Sequence, residues 1–346
     1  MDRIVRNLLV IALLVGAAVA PIARAEAPCR LLVLGAMPSE IGPFLAHATI
    51  EDRVDVSFTN DFGQQQMKSY FVGTLEDNDV IMAMTAIGTV NAMETAQLAF
   101  DHFGCISGVV FSGVSGATGD EFIGDVLVPK TWTLDEFNAA GNLVRSTYSA
   151  DDEMLAAAAT AAESVSLSPL GYVGDVACVG IDPYATPTID HGHTPTISVG
   201  STLTGHSSDP FGGNAFVCLP GTDTFGCQPC KFVQFSTADP ARLLTTLRPF
   251  LTPKFFTWFQ TWSGVDGGEF NVQDMESAAV AKVAEGRAPF IAFRSPSDGT
   301  TNGEPLVTIP GPLSFLPQFL AYRQYASDNA AAVALAFLRE WKAQHP

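Results

Sequence analysis

Short apolar runs bounded by turn residues recur along the first half of the chain. Residues 31–34 are Leu-Leu-Val-Leu, and residues 80–86 repeat the pattern before a second glycine. Residues 108–111 lead into Ser-Gly-Val-Ser-Gly, and residues 125–129 form a further run. Short apolar runs between turn residues are typical of buried strands. We therefore predict a strand at each of these four places.

Between and after these strands, apolar residues recur at helical spacing. Residues 91–103 and 275–283 each place apolar side chains along one side of a helix. Residues 325–341 form a strong amphipathic helical pattern, and residues 289–293 predict one more buried strand, which ends at Arg294. Alternating strands and helices predict an α/β protein with a mainly parallel core sheet.

One long stretch interrupts this alternation. From residue 169 onward Gly, Pro, Thr and Ser dominate and the periodicity disappears. We predict an irregular insertion at about 169–230, within a single domain that spans residues 26–346. Loops of this length are usually functional or disordered, and the cysteines in this one favour an ordered surface element.

The N-terminal residues predict export. Arg3 and Arg6 precede an apolar run over residues 8–20, and residues 23–25 are Ala-Arg-Ala, a small-x-small cleavage site. We predict a signal peptide at residues 1–25, no membrane association once it is removed, and a periplasmic or extracellular location. The formal net charge of the chain is −18. A chain this acidic repels nucleic acid and anionic membrane surfaces.

Six cysteines, an even number in a chain predicted to be exported, indicate disulfides. Cys29 and Cys105 each precede a predicted core strand. Parallel strands start on the same side of a sheet, so we predict that these two are bridged. Four cysteines fall in or just after the insertion: Cys178, Cys218, Cys227 and Cys230. The last two form a C-x-x-C among Gly, Pro and Thr, which we interpret as structural rather than redox-active.

Three acidic residues stand where predicted strands or helices meet loops. Glu40 follows the first strand, Glu276 begins the helix at 275–283, and Asp298 follows the late strand. Ligands of parallel α/β sheets bind beyond the carboxyl ends of the strands, so Glu40, Asp298 and the glycine loop at 113–116 are expected to share one crevice. Taken singly, each acid has a plainer explanation as a helix-start or turn residue.

Five segments in a fixed order resemble the methylthioadenosine/S-adenosylhomocysteine nucleosidases and their secreted relatives, within the nucleoside phosphorylase superfamily. They are residues 35–40, 86–92, 112–116, 274–281 and 294–298. The resemblance implies a three-layer α/β sandwich with a central mixed, mostly parallel sheet. It also implies a small-molecule nucleoside as partner and no cofactor, and it leaves a homodimer or higher homo-oligomer open.

The implied reaction is hydrolysis of the N-glycosidic bond of purine nucleosides or 5′-thio-substituted adenosines. Cleavage leaves positive charge on the ribose and negative charge on the base, a problem that glycosidases solve with paired acids. By the resemblance, Asp298 protonates N7 of the purine, Glu40 is the base for water, and Glu276 holds the ribose hydroxyls. Asp298 must then be protonated at working pH, which requires burial or nearby negative charge.

The resemblance also assigns supporting roles near these acids. Ser297 would orient Asp298, and Arg294 would help to hold the acidic cluster. Met275 would cover a face of the ribose, although a position in the core is an equal alternative. Further candidates for substrate contact are Ile87, Ser115, Gly116 and Phe270.

The residue that stacks on the purine stays open. In the family an aromatic residue upstream of the Met-Glu pair does this. Phe270 is the nearest aromatic here, and three others are equal rivals: Phe211, Phe216 and Phe225.

Other chemistries have less support. His191 and His193 invite a metal interpretation, but spacing identifies no third ligand, so we expect no metal and interpret the segment as a solvated loop. Two alternative functions remain. A phosphate-dependent purine nucleoside phosphorylase is disfavoured because Glu40 and Thr89 stand where such enzymes usually place arginines. A non-catalytic nucleoside-binding or storage protein is possible because plant storage proteins share this superfamily.

Overall fold

The computed structural model describes residues 29–59, 65–118, 120–137, 142–172, 188–209, 211, 269–299 and 315–346. The strands are β1 (Arg30–Gly35), β2 (Thr49–Thr59), β3 (Gln65–Leu75), β4 (Asn78–Met84), β5 (Ile106–Ala117), β6 (Val126–Phe137), β7 (Leu143–Ser149), β8 (Leu170–Tyr172), β9 (Thr188–Asp190), β10 (Ile197–Ser208), β11 (Val272–Asp274) and β12 (Phe290–Asp298). The helices are α1 (Pro38–His47), α2 (Thr89–His102), α3 (Asp152–Ala162), α4 (Ser277–Ala284) and α5 (Phe315–Gln344). Several predictions concern residues outside these ranges: the signal peptide, Cys178, Cys218, Cys227, Cys230, Phe216 and Phe225.

A mixed sheet forms the middle of the fold. Its strand order is β11-β10-β6-β12-β5-β1-β4-β3-β2, with β7 beside β6. The strands β4, β1, β5 and β12 run parallel, as do β6, β10 and β11. Antiparallel hairpins extend the sheet through β2 and β3 and through β7. The predicted mixed sheet with a parallel core is confirmed.

The sheet also closes on itself near the end of β5. The short strand β11 pairs with β10 and, antiparallel, with β5, where Gln273 lies opposite Gly116. Since β5 pairs with β12 and β12 meets β6, five strands form a ring. This closure carries the start of α4 to the carboxyl ends of β5 and β12.

Helices cover both faces of the sheet, as in the predicted three-layer arrangement. On one face α2 and α4 pack together, and alanines at 92, 96, 99, 278, 279 and 281 contribute to that core. On the other face α1, α3 and the second half of α5 bury Ile41, Phe44, Met154 and Phe337. The small alanines let the helices approach the faces of the sheet closely. Polar residues gather instead at the carboxyl ends of the strands.

The predicted strands and helices within the described ranges are present, and β12 continues past Arg294 to Asp298 with every residue buried. The predicted irregular insertion differs from the structure at β8 and β9, which pair with each other, and over Ile197–Ser208, which form β10 beside β6. This strand is rich in Ser, Thr and Gly and is partly exposed over its first half, so its apolar alternation is weak. Gly205 leaves room for the ring of Trp132, which a side chain there would meet.

A disulfide joins Cys29 to Cys105 across the starts of β1 and β5, with their Cα atoms 4.6 Å apart. This is the pairing predicted from the strand order. Among the residues with described coordinates, no helix is both long and apolar enough to cross a bilayer.

Candidate active site

A fully buried arginine lies at the centre of the candidate site. Arg294 is on β12, and its side chain has no exposed surface. Three carboxylates surround its guanidinium. Asp274 Oδ2 lies 2.8 Å from Nε, Glu276 Oε2 lies 3.4 Å from Nη2, and Glu40 Oε1 lies 3.7 Å from Nη1. One arginine therefore faces three buried carboxylates, and the cluster has an excess of acidic groups.

Backbone N–H groups hold the carboxylate of Glu40. Glu40 is the third residue of α1, and its Oε2 accepts hydrogen bonds from the N–H groups of Ala36 at 2.5 Å and Met37 at 3.0 Å. Its Oε1 accepts one from Val114 N–H at 2.8 Å. Burial raises the pKa of Glu40, while Arg294 and these N–H groups oppose the rise. Glu40 is thus the helix-start acid that its position suggests, and it also faces Arg294.

Glu276 lies at the other side of the guanidinium. Its Oε1 accepts a hydrogen bond from Gly88 N–H at 2.8 Å, so the glycine turn after β4 meets the start of α4. Burial is the largest cause of a raised pKa for Glu276, the charges of Asp274 and Glu40 add to it, and Arg294 opposes it.

Asp274 orders the start of α4 and was not among the predicted site residues. Its Oδ1 accepts the N–H groups of Glu276 at 3.0 Å and Ser277 at 3.1 Å, and Ser207 Oγ also donates to it. The hydroxyl of Ser277 accepts from Arg294 Nε at 2.9 Å. The sequence signal was the spacing of two acids, since Asp274 precedes Glu276 by two residues. The serine of β10 carried no comparable signal.

Tight backbone turns bring these groups together. Ala86 has φ of 66° and Gly88 has φ of 100°, the left-handed region that favours glycine. On β5, Gly113 lies directly against the carboxyl of Glu40 and the guanidinium of Arg294, which leave no space for a Cβ atom. A side chain at that position would push the acid and the arginine apart.

Asp298 lies farther along the same strand. It is 2% exposed and lies four residue positions after Arg294, a backbone distance of about 13 Å. Ser297 Oγ donates to its Oδ2 at 2.7 Å. Its Oδ1 has no hydrogen-bond partner among the described residues, although it is buried. Burial raises the pKa of Asp298 to about 8, which the bond from Ser297 only partly opposes.

Several predicted substrate-contact residues adjoin this cluster. Gly116 pairs with Asp298 across β5 and β12. Ser115 is buried, and within the described part of the chain its hydroxyl has no partner. Ile87 lies in the glycine turn and is buried in the core cluster, against which the partly buried Met275 also packs. Both interpretations of Met275, core residue and ligand contact, fit that position.

The structure separates Phe270 from the acids. Its ring stacks on His206 with centroids 4.6 Å apart. Neighbouring strand residues point to opposite faces, and the next residue, Ser207, points to Asp274. Phe211 instead lies against Gly88, close enough that a Cβ on that glycine would be 3.2 Å from the ring. Of the two aromatic candidates within the described residues, Phe211 is the one beside the glycine turn.

The two histidines of the predicted solvated loop are packed, which corrects that interpretation. His191 is 2% exposed and stacks on Tyr325 with centroids 4.0 Å apart. His193 Nε2 lies 3.0 Å from Asp125 Oδ1, and its ring stacks on Phe122. No set of three metal-binding side chains occurs within the described residues.

The fold, and the acids gathered beyond the ends of its parallel strands, define a nucleoside phosphorylase-like protein. A family model for the phosphorylase superfamily matches residues 30–186. An uncharacterized protein of Mycobacterium tuberculosis is 36% identical over 210 residues, which are 58% of this chain and 78% of that protein. The chain belongs to the phosphorylase superfamily.

Two further comparisons concern proteins with stated activities. The aminodeoxyfutalosine nucleosidase of Campylobacter jejuni is 30% identical over 99 residues, 28% of this chain and 39% of that enzyme. The fold resembles a methylthioadenosine/S-adenosylhomocysteine nucleosidase from Colwellia psychrerythraea, with a TM-score of 0.51 and 16% identity over 91% of this chain and 96% of that one. A Helicobacter pylori nucleosidase of the same name gives a TM-score of 0.51 and 18% identity, covering 90% and 98%.

Proposed function

We propose that this protein hydrolyses the N-glycosidic bond of purine nucleosides, or of 5′-thio-substituted adenosines, to free base and sugar. The observation that carries the proposal is Asp298. It is a buried carboxyl whose pKa is raised to about 8 and whose Oδ1 has no partner among the described residues. A carboxyl that stays protonated at neutral pH with an oxygen free for a ligand is suited to general acid catalysis.

The acid step moves one proton to the leaving base. The bond between C1′ and N9 breaks, its electron pair goes to the purine, and the carboxyl proton of Asp298 goes to N7. Ser297 donates to Oδ2 and so leaves Oδ1 to face the base. Protonation of N7 lowers the negative charge that the departing purine must carry.

The cluster around Arg294 suits the sugar. Glu276 accepts a hydrogen bond from Gly88 on one oxygen, and its other oxygen lies 3.4 Å from Arg294. An acceptor in this position binds ribose hydroxyls, and the acids of the cluster, when ionised, favour the cationic ribose of the transition state. Arg294 holds the acids in place without cancelling all of their charge.

Glu40 is suited to take the proton of the attacking water. A carboxylate has about four lone-pair positions, and backbone N–H groups occupy three on Glu40. The water oxygen forms its bond to C1′ while Glu40 accepts a proton, and exchange with solvent then returns Glu40 and Asp298 to their starting states. Phe211, beside Gly88, is our candidate for stacking on the purine.

A phosphorylase is the closest alternative. Phosphate is an anion, and the region near Glu40 presents three buried carboxylates around one arginine. These charges repel phosphate and favour neutral water. A non-catalytic binding protein does not need a carboxyl that keeps its proton up to about pH 8, as Asp298 does. The fold alone nevertheless permits a non-catalytic protein.

The names of related proteins agree with this assignment. The Campylobacter relative is called an aminodeoxyfutalosine nucleosidase, and the solved structures of similar fold are called methylthioadenosine/S-adenosylhomocysteine nucleosidases. Both names describe cleavage of a nucleoside. A 5′-substituted adenosine is therefore the first substrate to test.

The deciding experiment incubates the purified mature protein with a nucleoside panel, with and without phosphate, and follows free base and sugar. We expect free base and free sugar at a rate that phosphate does not change. Ribose 1-phosphate formed only when phosphate is present would replace the hydrolase with a phosphorylase. Binding without any product would support the non-catalytic alternative.

We also propose that the protein acts outside the cytoplasm, since the N-terminal pattern predicts export and the Cys29–Cys105 disulfide suits an oxidising compartment. Cell fractionation with an antibody tests this. Retention of an uncleaved chain in the cytoplasm would contradict it.

A further inference from the structure

A buried lysine contacts the backbone at the start of the glycine turn of the site. Lys68 is on β3 and is 8% exposed, an uncommon place for an ammonium group. Its Nζ donates to the backbone carbonyl of Thr85 at 2.7 Å. Burial lowers the pKa of Lys68 to about 8, and the charge of Glu94 opposes this shift.

Thr85 connects the two turns that hold catalytic candidates. Its N–H donates to the carbonyl of Gly35 at 2.9 Å, where the turn toward Glu40 begins. In the other direction the chain passes through Ala86, with φ of 66°, to Gly88, whose N–H holds Glu276. A displacement of Thr85 would therefore move both carboxylates.

The other contact to this carbonyl is weak. Thr95 Oγ1 lies 3.4 Å from Thr85 O, but its single hydrogen has a closer acceptor in the carbonyl of Asn91 at 2.7 Å. Lys68 is therefore the donor that fixes the carbonyl of Thr85. An apolar side chain would fill the same space without the cost of burying an ammonium group. The charge of Glu94 helps to keep this ammonium group charged, and the hydrogen bond to Thr85 is the contact through which Lys68 acts on the turn.

We infer that Lys68 is a positioning residue, which holds the turn at residues 85–88 so that Gly88 N–H stays on Glu276 and the ribose-binding carboxylate keeps its orientation. The inference about catalysis rests on the proposed function. The inference about the turn does not, because it concerns contacts that exist without substrate.

The test compares Lys68→Met with Tyr70→Phe. Methionine keeps the length of the side chain and removes the donor. Tyr70 is two residues away on the same strand and face, and its hydroxyl donates to the carbonyl of Thr95 at 2.7 Å, so its loss removes a buried hydrogen bond that does not reach the carbonyl of Thr85. Thermal melting shows whether each variant is folded.

For Lys68→Met we expect a fall of about 10- to 100-fold in kcat/KM, mostly as a higher KM, since a hydrogen bond from a charged donor is lost where it orients a binding group. Amide hydrogen exchange at residues 85–88 should become at least about 10-fold faster. Lys68→Gln retains a neutral donor and should recover part of both losses. Tyr70→Phe should leave KM and this exchange unchanged.

Two outcomes separate this inference from the proposed function. If Lys68→Met melts lower but exchange at 85–88 and KM match the wild type, Lys68 only supports the core and the inference is wrong. If the wild type cleaves no nucleoside, the proposed function fails. The exchange measurement then still decides whether Lys68 holds the turn.

Discussion

Two clusters of this protein combine arginine and buried carboxylate in different ratios. At the ends of β5 and β12, Arg294 faces three carboxylates and nothing in the cluster is exposed beyond a few per cent. Between β6, β7 and β10, one carboxylate, Asp135, has two partners. Arg145 binds it with two hydrogen bonds at 2.8 and 2.9 Å, and His206 Nε2 lies 3.0 Å away.

The pKa values move in opposite directions as a result. Burial would raise the pKa of Asp135, but the hydrogen bonds and charges of Arg145 and His206 hold it well below its usual range. Burial dominates at Glu40 and Glu276, because three acids share the single guanidinium of Arg294 and its charge opposes the rise in pKa only in part. The charge of Asp135 is balanced by Arg145, which reaches solvent, and such a pair supports the structure. Buried carboxylates that outnumber the cations beside them are instead a feature of active sites.

The largest effect on activity is expected at Asp298, the buried acid whose raised pKa is opposed only by the hydrogen bond from Ser297. Asp298→Asn keeps shape and hydrogen bonding but removes the transferable proton, so kcat should fall by about 100- to 10,000-fold while substrate still binds. Asp135→Asn, the same change at the carboxylate with two partners, should leave kcat unchanged. Initial rates of base release measure both. Near-normal hydrolysis by Asp298→Asn would remove the acid from the mechanism and the main argument for a nucleosidase.

Replacing the arginine of each cluster tests how much that arginine contributes to the free energy of unfolding. Arg294→Met leaves three buried carboxylates without their cation and should lower the free energy of unfolding by about 3–5 kcal/mol. Arg145→Met should cost about 1 kcal/mol, because its guanidinium is 44% exposed and solvent already screens the pair. Urea unfolding of both variants gives the two values. Equal losses would show that the ratio of charges does not matter here.

A smaller effect is expected at Glu276, the carboxylate that we propose holds the ribose. Glu276→Gln keeps an acceptor for Gly88 N–H but removes the charge, so kcat/KM should fall by about 10- to 100-fold, with a clearer loss of affinity than at Asp298. Glu269→Gln is the matched control, since that exposed acid pairs with Arg145 at 3.2 Å in the other cluster. A Glu276→Gln variant with unchanged KM would argue against ribose contact.

The smallest effect is a difference in pH dependence. The folded protein holds the proton of Asp298 to about pH 8, while an unfolded aspartate releases it near 4, so this contribution to stability is complete below about pH 4 and lost as pH rises through about 8. Between pH 5 and 7 the wild type should lose on the order of 2–3 kcal/mol relative to Asp298→Asn. For Asp135, whose pKa is lowered, the contribution is present above about pH 4 and lost as pH falls.

Unfolding at a series of pH values measures both trends. The kcat/KM profile should show an alkaline limb near pH 8 in the wild type, which Asp135→Asn leaves in place. If kcat/KM of the wild type instead falls only near pH 10, Asp298 is not the group that must be protonated.

The sequence by itself determined the elements with strong local signals. The apolar runs of β1, β4, β5 and β12 and the spacing of α2 and α5 are determined by which residues must be buried, and burial depends on local pattern. The three acids Glu40, Glu276 and Asp298 could be singled out for the same reason, because each stands where such an element meets a loop, and their catalytic roles stay a prediction. The start points of β1 and β5 likewise led to the Cys29–Cys105 pair.

Tertiary structure decided the rest, because it depends on contacts between residues far apart in the chain. The strand β10 has little apolar alternation and is defined by its pairing with β6 and β11. Asp274 meets Arg294 because β11 closes the ring against β5. The place of Phe211 rather than Phe270 beside Gly88 follows from long-range packing, since the ring of Phe270 stacks on His206 of β10 and that of Phe211 lies against Gly88. Charge, burial and the resulting pKa of each acid exist only once these strands are side by side, so the chemistry of the site could be proposed from the sequence but its electrostatics could not.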